Sequence, residues 1–187
     1  MMWRGVFFFV GALLLAQVHA AESESELLEL PQVLRDSLPD FFARDIRDDL
    51  NLFSKSTLRE LSKGYDRVAI VYYATWCIPC REGLVQIASK REYLEGKKVK
   101  VVLANVGEKE RNPNEKVRQY LKKLRLDSFP GTLDPYNRLL VDFGIWDETE
   151  ETKQNALPMT LVLDKNLKPL LLIGKEGNDF IEKIAGK

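Results

Sequence analysis

The chain has 187 residues, 45% of them hydrophobic and 30% charged, with 28 Lys plus Arg set against 28 Asp plus Glu. That is one domain's length with enough apolar residues for a buried core, and the balance fits neither a disordered tail nor a multi-span membrane protein. The zero net charge removes the electrostatic case for nucleic acid as a partner, and two Cys are too few for a disulfide-rich scaffold or a four-cysteine zinc site.

Residues 1–20 have the pattern of a secretory signal peptide. Arg4 supplies a positive start, Val6 to Ala16 form an apolar run, and Val18-His19-Ala20 is a small-residue cleavage site before Ala21. The apolar run is shorter than the roughly 20 residues needed to cross a bilayer. The expected location is therefore a periplasmic-type compartment. Removing this segment also removes His19, the single histidine. Mechanisms built on imidazole, as base or as metal ligand, then fail.

Residues 21–38 read as an acidic lead-in with one short helix around Glu26 to Leu34, and 39–187 as the folded domain. Phe41–Ala43 and Leu50–Phe53, either side of Arg47-Asp48-Asp49, suit a small hairpin or, alternatively, a helix. Ser56 to Lys63 reads as a helix stopped by Gly64. Arg67 to Tyr73, Arg-Val-Ala-Ile-Val-Tyr-Tyr, is a run of β-branched and aromatic residues suited to a strand buried on both faces. Leu84, Ile87, Ala88 and Leu94 are spaced for one helix face. Lys98 to Asn105 is a second buried strand. Asn112-Pro113-Asn114-Glu115 has the residues of an N-cap and capping box before Val117, Tyr120, Leu121 and Leu124. Met159–Leu163 and Pro169–Ile173, joined at Asp164-Lys165-Asn166, read as a hairpin, and Asn178 to Ala185 as a closing helix. The expected class is α/β, a central mixed sheet flanked by helices with an N-terminal extension.

Both cysteines sit in Ala74-Thr75-Trp76-Cys77-Ile78-Pro79-Cys80-Arg81, at the expected strand-to-helix turn. A bridge between neighbours this close constrains the unfolded chain little, so it is a poor staple. It is a well-placed redox pair. Haem attachment would need His after Cys80, where Arg81 stands, and a metal site would need ligands the processed chain lacks. Pro79 suits the first helical turn. The free amides and positive dipole end there favour Cys77 as thiolate, leaving Cys80, one turn in, to attack second.

With Leu157-Pro158-Met159-Thr160 later in the chain, this motif resembles the thioredoxin fold, and most closely its exported TlpA/ResA-like thiol-disulfide oxidoreductases. The resemblance spans roughly Pro39 to Ala185. It implies reduction or exchange of disulfides in client proteins by a Cys77–Cys80 dithiol, with a membrane or soluble electron donor restoring the dithiol. It requires no bound cofactor or metal, and a monomer is expected. It further implies that Pro158 is cis and lies against the Cys pair, that Leu157 offers its backbone to an extended substrate, and that Trp76 flanks the nucleophile and contributes to docking. Packing over the helix start is the other reading of Trp76, and the two are compatible.

Departures from the family pattern leave the proton of Cys80 without an assigned acceptor. Thioredoxins carry a buried acid where this chain has Val71; TlpA-like proteins often carry Glu and Pro where it has Gly83 and Val85. Glu82 is the nearest candidate, although a solvent-facing carboxylate in the first helical turn is the plainer reading. Arg81 stands between stabilising the thiolate and being ordinary surface. Ile145 to Ala156 forms an insertion whose Trp146 and acidic residues either bias partner choice or form a solvated loop. Two rival functions remain open. One is a thioredoxin-fold binding or chaperone module with a non-catalytic Cys pair. The other is a thiol peroxidase, although Ala74 stands where a peroxidatic site usually has Thr.

Overall fold

A computed structural model describes residues 24–48, 51–108, 110, 113–146 and 157–187. The expected signal peptide, Asp49 and Leu50 of the first hairpin, the Asn112 cap and the acidic part of the insertion lie outside the described residues.

The sheet is built outward from β4 (Arg67–Tyr73), which matches the expected strand and is almost wholly buried. Its alternation divides the core in two. Ala69, Val71 and Tyr73 point to one face with the cysteines, and Val68, Ile70 and Tyr72 to the other. β5 (Val99–Val106) pairs with β4 in parallel, β6 (Gly131–Asp134) in parallel with β5, and β7 (Met159–Asp164) antiparallel with β4. β8 (Pro169–Lys175) completes the expected hairpin with β7. β2 (Phe42–Asp45) and β3 (Leu52–Ser54) form the first hairpin, so strand prevails over helix there, and β2 joins the sheet through β6. With β1 (Glu26–Leu28) at the far edge, the order is β1-β8-β7-β4-β5-β6-β2-β3.

Several expectations are corrected. In place of the helix around Glu26 to Leu34 there is the edge strand β1, antiparallel to β8, followed by a single 3-10 turn at Gln32–Leu34. Ser25 anchors it, donating its N–H to Asp179 (2.7 Å) and accepting from Gly177 N–H (2.9 Å). Tertiary pairing prevails here over local composition. Leu94 does not continue the helix of Leu84 and Ile87. The helix α2 (Ile78–Ser89) ends at Lys90, and Leu94 lies on a separate helix, α3 (Arg91–Gly96). The helix α4 (Asn114–Lys123) starts after Pro113 and carries Glu115 in its first turn, while the expected Asn112 cap lies outside the described residues. β6 and the short helix α5 (Arg138–Asp142) were not anticipated.

Other local signals act as read. The helix α1 (Lys55–Leu61) stands where Ser56 to Lys63 was expected; its cap, not anticipated, is Ser54, whose hydroxyl accepts from Thr57 N–H while the Thr57 hydroxyl accepts from Ser54 N–H. Gly64 ends it at φ +85°. A closing helix, α6 (Phe180–Ala185), packs Phe180, Ile181 and Ile184 on the face shared with α2. Ile145 is buried and Trp146 packs partly buried against the core on the opposite face. None of the helices among the described residues is long and apolar enough to cross a membrane.

Candidate functional site: a dithiol at a helix start

The chain leaves the sheet at the end of β4 and turns through 74–77 into α2. Cys77 is the N-cap residue of this 12-residue helix, and its Sγ accepts the Cys80 N–H at 3.2 Å. Pro79 occupies the first turn, where the missing N–H leaves no bond unmade. Cys77 and Cys80 are joined as a disulfide with their Cα atoms 5.4 Å apart. Both are almost fully buried, whereas Trp76, Ile78 and Val85 are among the exposed large apolar residues. The buried disulfide thus has exposed apolar neighbours along the chain on either side of Cys77.

Pro158 is buried, and the Leu157–Pro158 bond is cis, as the resemblance implies. The pairing of Tyr72 with Met159 brings the start of β7 to the end of β4 that carries the Cys loop. Leu157 is partly buried and packs against both core faces. The indole of Trp76 is half exposed, and its Nε1–H donates to the Gly107 carbonyl at 2.8 Å. It is therefore tethered over the helix start while still presenting a face to solvent. Gly107 takes φ +63°, a conformation that favours glycine.

Two acids at this site escaped the sequence reading. The carboxylate of Glu108 is fully buried. Its Oε1 accepts Thr75 N–H (2.6 Å) and Asn105 Nδ2–H (2.9 Å); its Oε2 accepts the Thr75 hydroxyl (2.8 Å) and approaches Lys116 Nζ at 3.5 Å. Buried Asn105, paired with Tyr73 in the β4–β5 register, also donates to the Tyr73 carbonyl at 3.4 Å. The loop that presents Trp76 and Cys77 thus hangs on one carboxylate. Below it, burial first and the negative charge of Glu108 second hold the Tyr73 phenol well above its ordinary range, so it stays protonated.

Glu176, just after β8, is the second acid. Burial pushes its carboxyl up to about 8, against the opposing effect of a hydrogen bond from the Thr160 hydroxyl at 3.2 Å. Glu82, the nearest candidate from sequence, is exposed, in line with the plainer solvent-facing reading, and lies beyond the first turn of α2, which contains no acidic residue. Arg81 is exposed as well. A signal for Glu108 was present in its position three residues past Asn105, the expected end of a buried strand. The only trace of Glu176 was the glycine at 83.

The fold and this site define a thioredoxin-like protein with a disulfide at the start of a helix. The chain belongs to the AhpC/TSA family, which it matches over residues 34–168. No curated protein sequence matches it. Among solved structures it is similar to a secreted thiol-disulfide isomerase from Corynebacterium glutamicum, with TM-score 0.64 and 20% identity, covering 90% of this chain and 94% of that one. A DsbF homologue from Corynebacterium diphtheriae gives TM-score 0.62 and 20% identity over 90% and 96% of the two chains. StoA from Bacillus subtilis gives 0.54 and 20% over 79% and 94%. The shared architecture agrees with the TlpA/ResA-like resemblance.

Proposed function

We propose that the protein is an exported thiol-disulfide oxidoreductase that reduces or exchanges disulfides in client proteins, with Cys77 as nucleophile and Cys80 as resolving thiol. The observation that carries this reading is the position of Cys77 as the N-cap of α2, its sulfur facing the Cys80 N–H. The same amides stabilise a thiolate there, and the thiolate is the reactive form. In the reduced protein, Cys77 Sγ⁻ attacks one sulfur of a client disulfide, forming a mixed disulfide and releasing the other client sulfur as a thiolate. Cys80 then loses its proton and attacks Cys77 Sγ, which closes the Cys77–Cys80 bond and frees the second client sulfur. Two electrons pass from the dithiol to the client. An electron donor, membrane-bound or soluble, restores the dithiol, and the chemistry needs no further cofactor.

Trp76, Leu157 and Pro158 form the docking surface in this reading. The exposed indole and Ile78 supply apolar contact, and Leu157 offers its backbone to an extended client segment beside the cis-Pro turn. Export to the periplasm is supported by residues 1–20. The test is Cys80→Ser trapping in cells: clients accumulate as mixed disulfides on Cys77, and Cys77→Ser traps none. Equal recovery from both variants refutes the reading. Peroxide turnover by the reduced protein, without client trapping, would instead support a peroxidase.

A further inference from the structure

The carboxyl of Glu176 occupies space that belongs geometrically to α2. A β-carbon added at Gly83 would overlap the Glu176 carboxyl outright. Gly83 follows Cys80 by three residues, so the two are neighbours on one helix face, about 5–6 Å apart between β-carbon positions. Side chains on a helix lean back over the preceding turn, so a side chain at 83 would cover Cys80. Glu176 takes that place from outside the helix. Its Oε1 accepts the Thr160 hydroxyl; Thr160 itself is buried opposite Val71 in the β4–β7 register. Its Oε2 is buried with no hydrogen-bond partner among the described residues. Leaving a buried oxygen unpaired is unfavourable, and an acceptor beside a thiol gives it a use.

We propose that Glu176 exchanges the proton of Cys80, directly or across one water. The assignment rests on the dithiol chemistry proposed above. When Cys80 attacks the mixed disulfide, its S–H proton passes to the Glu176 carboxylate; the Cys77–Cys80 bond forms, the Cys77–client bond breaks, and the client thiolate leaves. In the opposite direction an external thiolate attacks Cys77, and Cys80 departs as a thiolate that takes the proton from the Glu176 carboxylic acid.

The raised affinity of this carboxyl for a proton in the oxidised protein suits the second role at neutral pH. The charged groups on the surrounding elements are turned elsewhere. Arg81 and Glu82 of α2, Lys175 of β8, and Glu24 and Glu26 at the N-terminal edge are exposed, and Asp179 and Lys183 of α6 pair with each other at 2.7 Å. Among the described residues, burial and the Thr160 hydroxyl set the proton affinity of this carboxyl, which leaves the two thiols, once the disulfide opens, as its proton partners in this proposal.

The test is single-turnover reduction of the oxidised full chain by dithiothreitol, quenched by alkylation, in wild type and Glu176→Gln over roughly pH 6 to 9. Dividing the two rates cancels the ionisation of the reagent. The expected ratio is on the order of tenfold below about pH 7 and falls toward one as the carboxyl loses its proton. A ratio that does not change with pH is what a structural role alone gives, and it overturns the proposal. Gly83→Glu with Glu176→Gly returns an acid to the same volume from the helix side. It should restore the pH-dependent rate even if Glu176→Gln folds poorly, and failure to restore it counts against the proposal. Glu82→Gln should match wild type throughout; if it alone reproduces the pH-dependent loss, the proton acceptor is Glu82. A wild-type disulfide inert to dithiothreitol overturns the dithiol function together with this assignment, whereas a reactive wild type with a flat ratio removes Glu176 alone.

Discussion

Glu108 and Glu176 bring buried carboxyls to the same face of the sheet, and they differ in how they are compensated. Glu108 faces four donor groups from Thr75, Asn105 and Lys116, so its charge is absorbed by the loop it holds. Glu176 has one hydroxyl donor and an unpartnered oxygen beside Gly83. Burial by itself does not assign a role to an acid. A carboxylate surrounded by donors serves as a strut, while one that lacks them retains a proton and remains available for chemistry.

The comparison breaks most readily at Glu108. Glu108→Ala leaves the Thr75 N–H and the Asn105 amide without their acceptor, which should cost about 3 kcal/mol in urea unfolding of the oxidised protein. A change within about 0.5 kcal/mol would deny Glu108 its role as a strut. Glu176 should behave in the opposite sense as pH rises. Its carboxyl titrates at about 8 when folded, against an ordinary value of 4.5. Between those values the folded protein keeps a proton that the unfolded chain has released. The stabilising contribution is therefore complete below the ordinary value and is lost as pH climbs through the folded one. The unfolding free energy of wild type should decline between about pH 5 and 8, by a total on the order of 2 kcal/mol, and that of Glu176→Gln should stay nearly level across that range. Parallel curves would mean that the carboxyl is solvated.

The smallest expected effect is at Gly83. In Gly83→Ala the new methyl meets the flexible end of Glu176, which can swing outward, and alanine favours the helix. Stability near pH 5 should stay within about 1 kcal/mol of wild type, yet the decline at higher pH should vanish as in Glu176→Gln. Retention of the decline would show that the carboxyl stays buried without the space at Gly83.

Elements with strong local patterns were legible from the chain. Arg67–Tyr73 carries its burial on both faces in its composition, and the Asp164 turn joins β7 to β8. The four residues of β6 show no such pattern: Gly131, Thr132, Leu133 and Asp134 are all buried, and their conformation comes from β5 on one side and β2 on the other. The acidic stretch of β1 reads as a poor strand and becomes one because β8 has a free edge for it. Leu94 stands at helical spacing from Leu84 and Ile87 only by coincidence of count, since spacing does not reveal the break at Lys90.

The sequence by itself determined the dithiol, its place between a buried strand and a helix, and the proline that precedes the later hairpin, because these depend on neighbours along the chain. Only the tertiary structure decided which acids accompany the sulfurs. Thr75 meets Glu108 from 33 residues away, and the glycine at 83 admits a carboxyl delivered from the end of β8. A missing side chain and its replacement from a distant strand leave no periodicity to read, so the proton chemistry of the site is a property of packing.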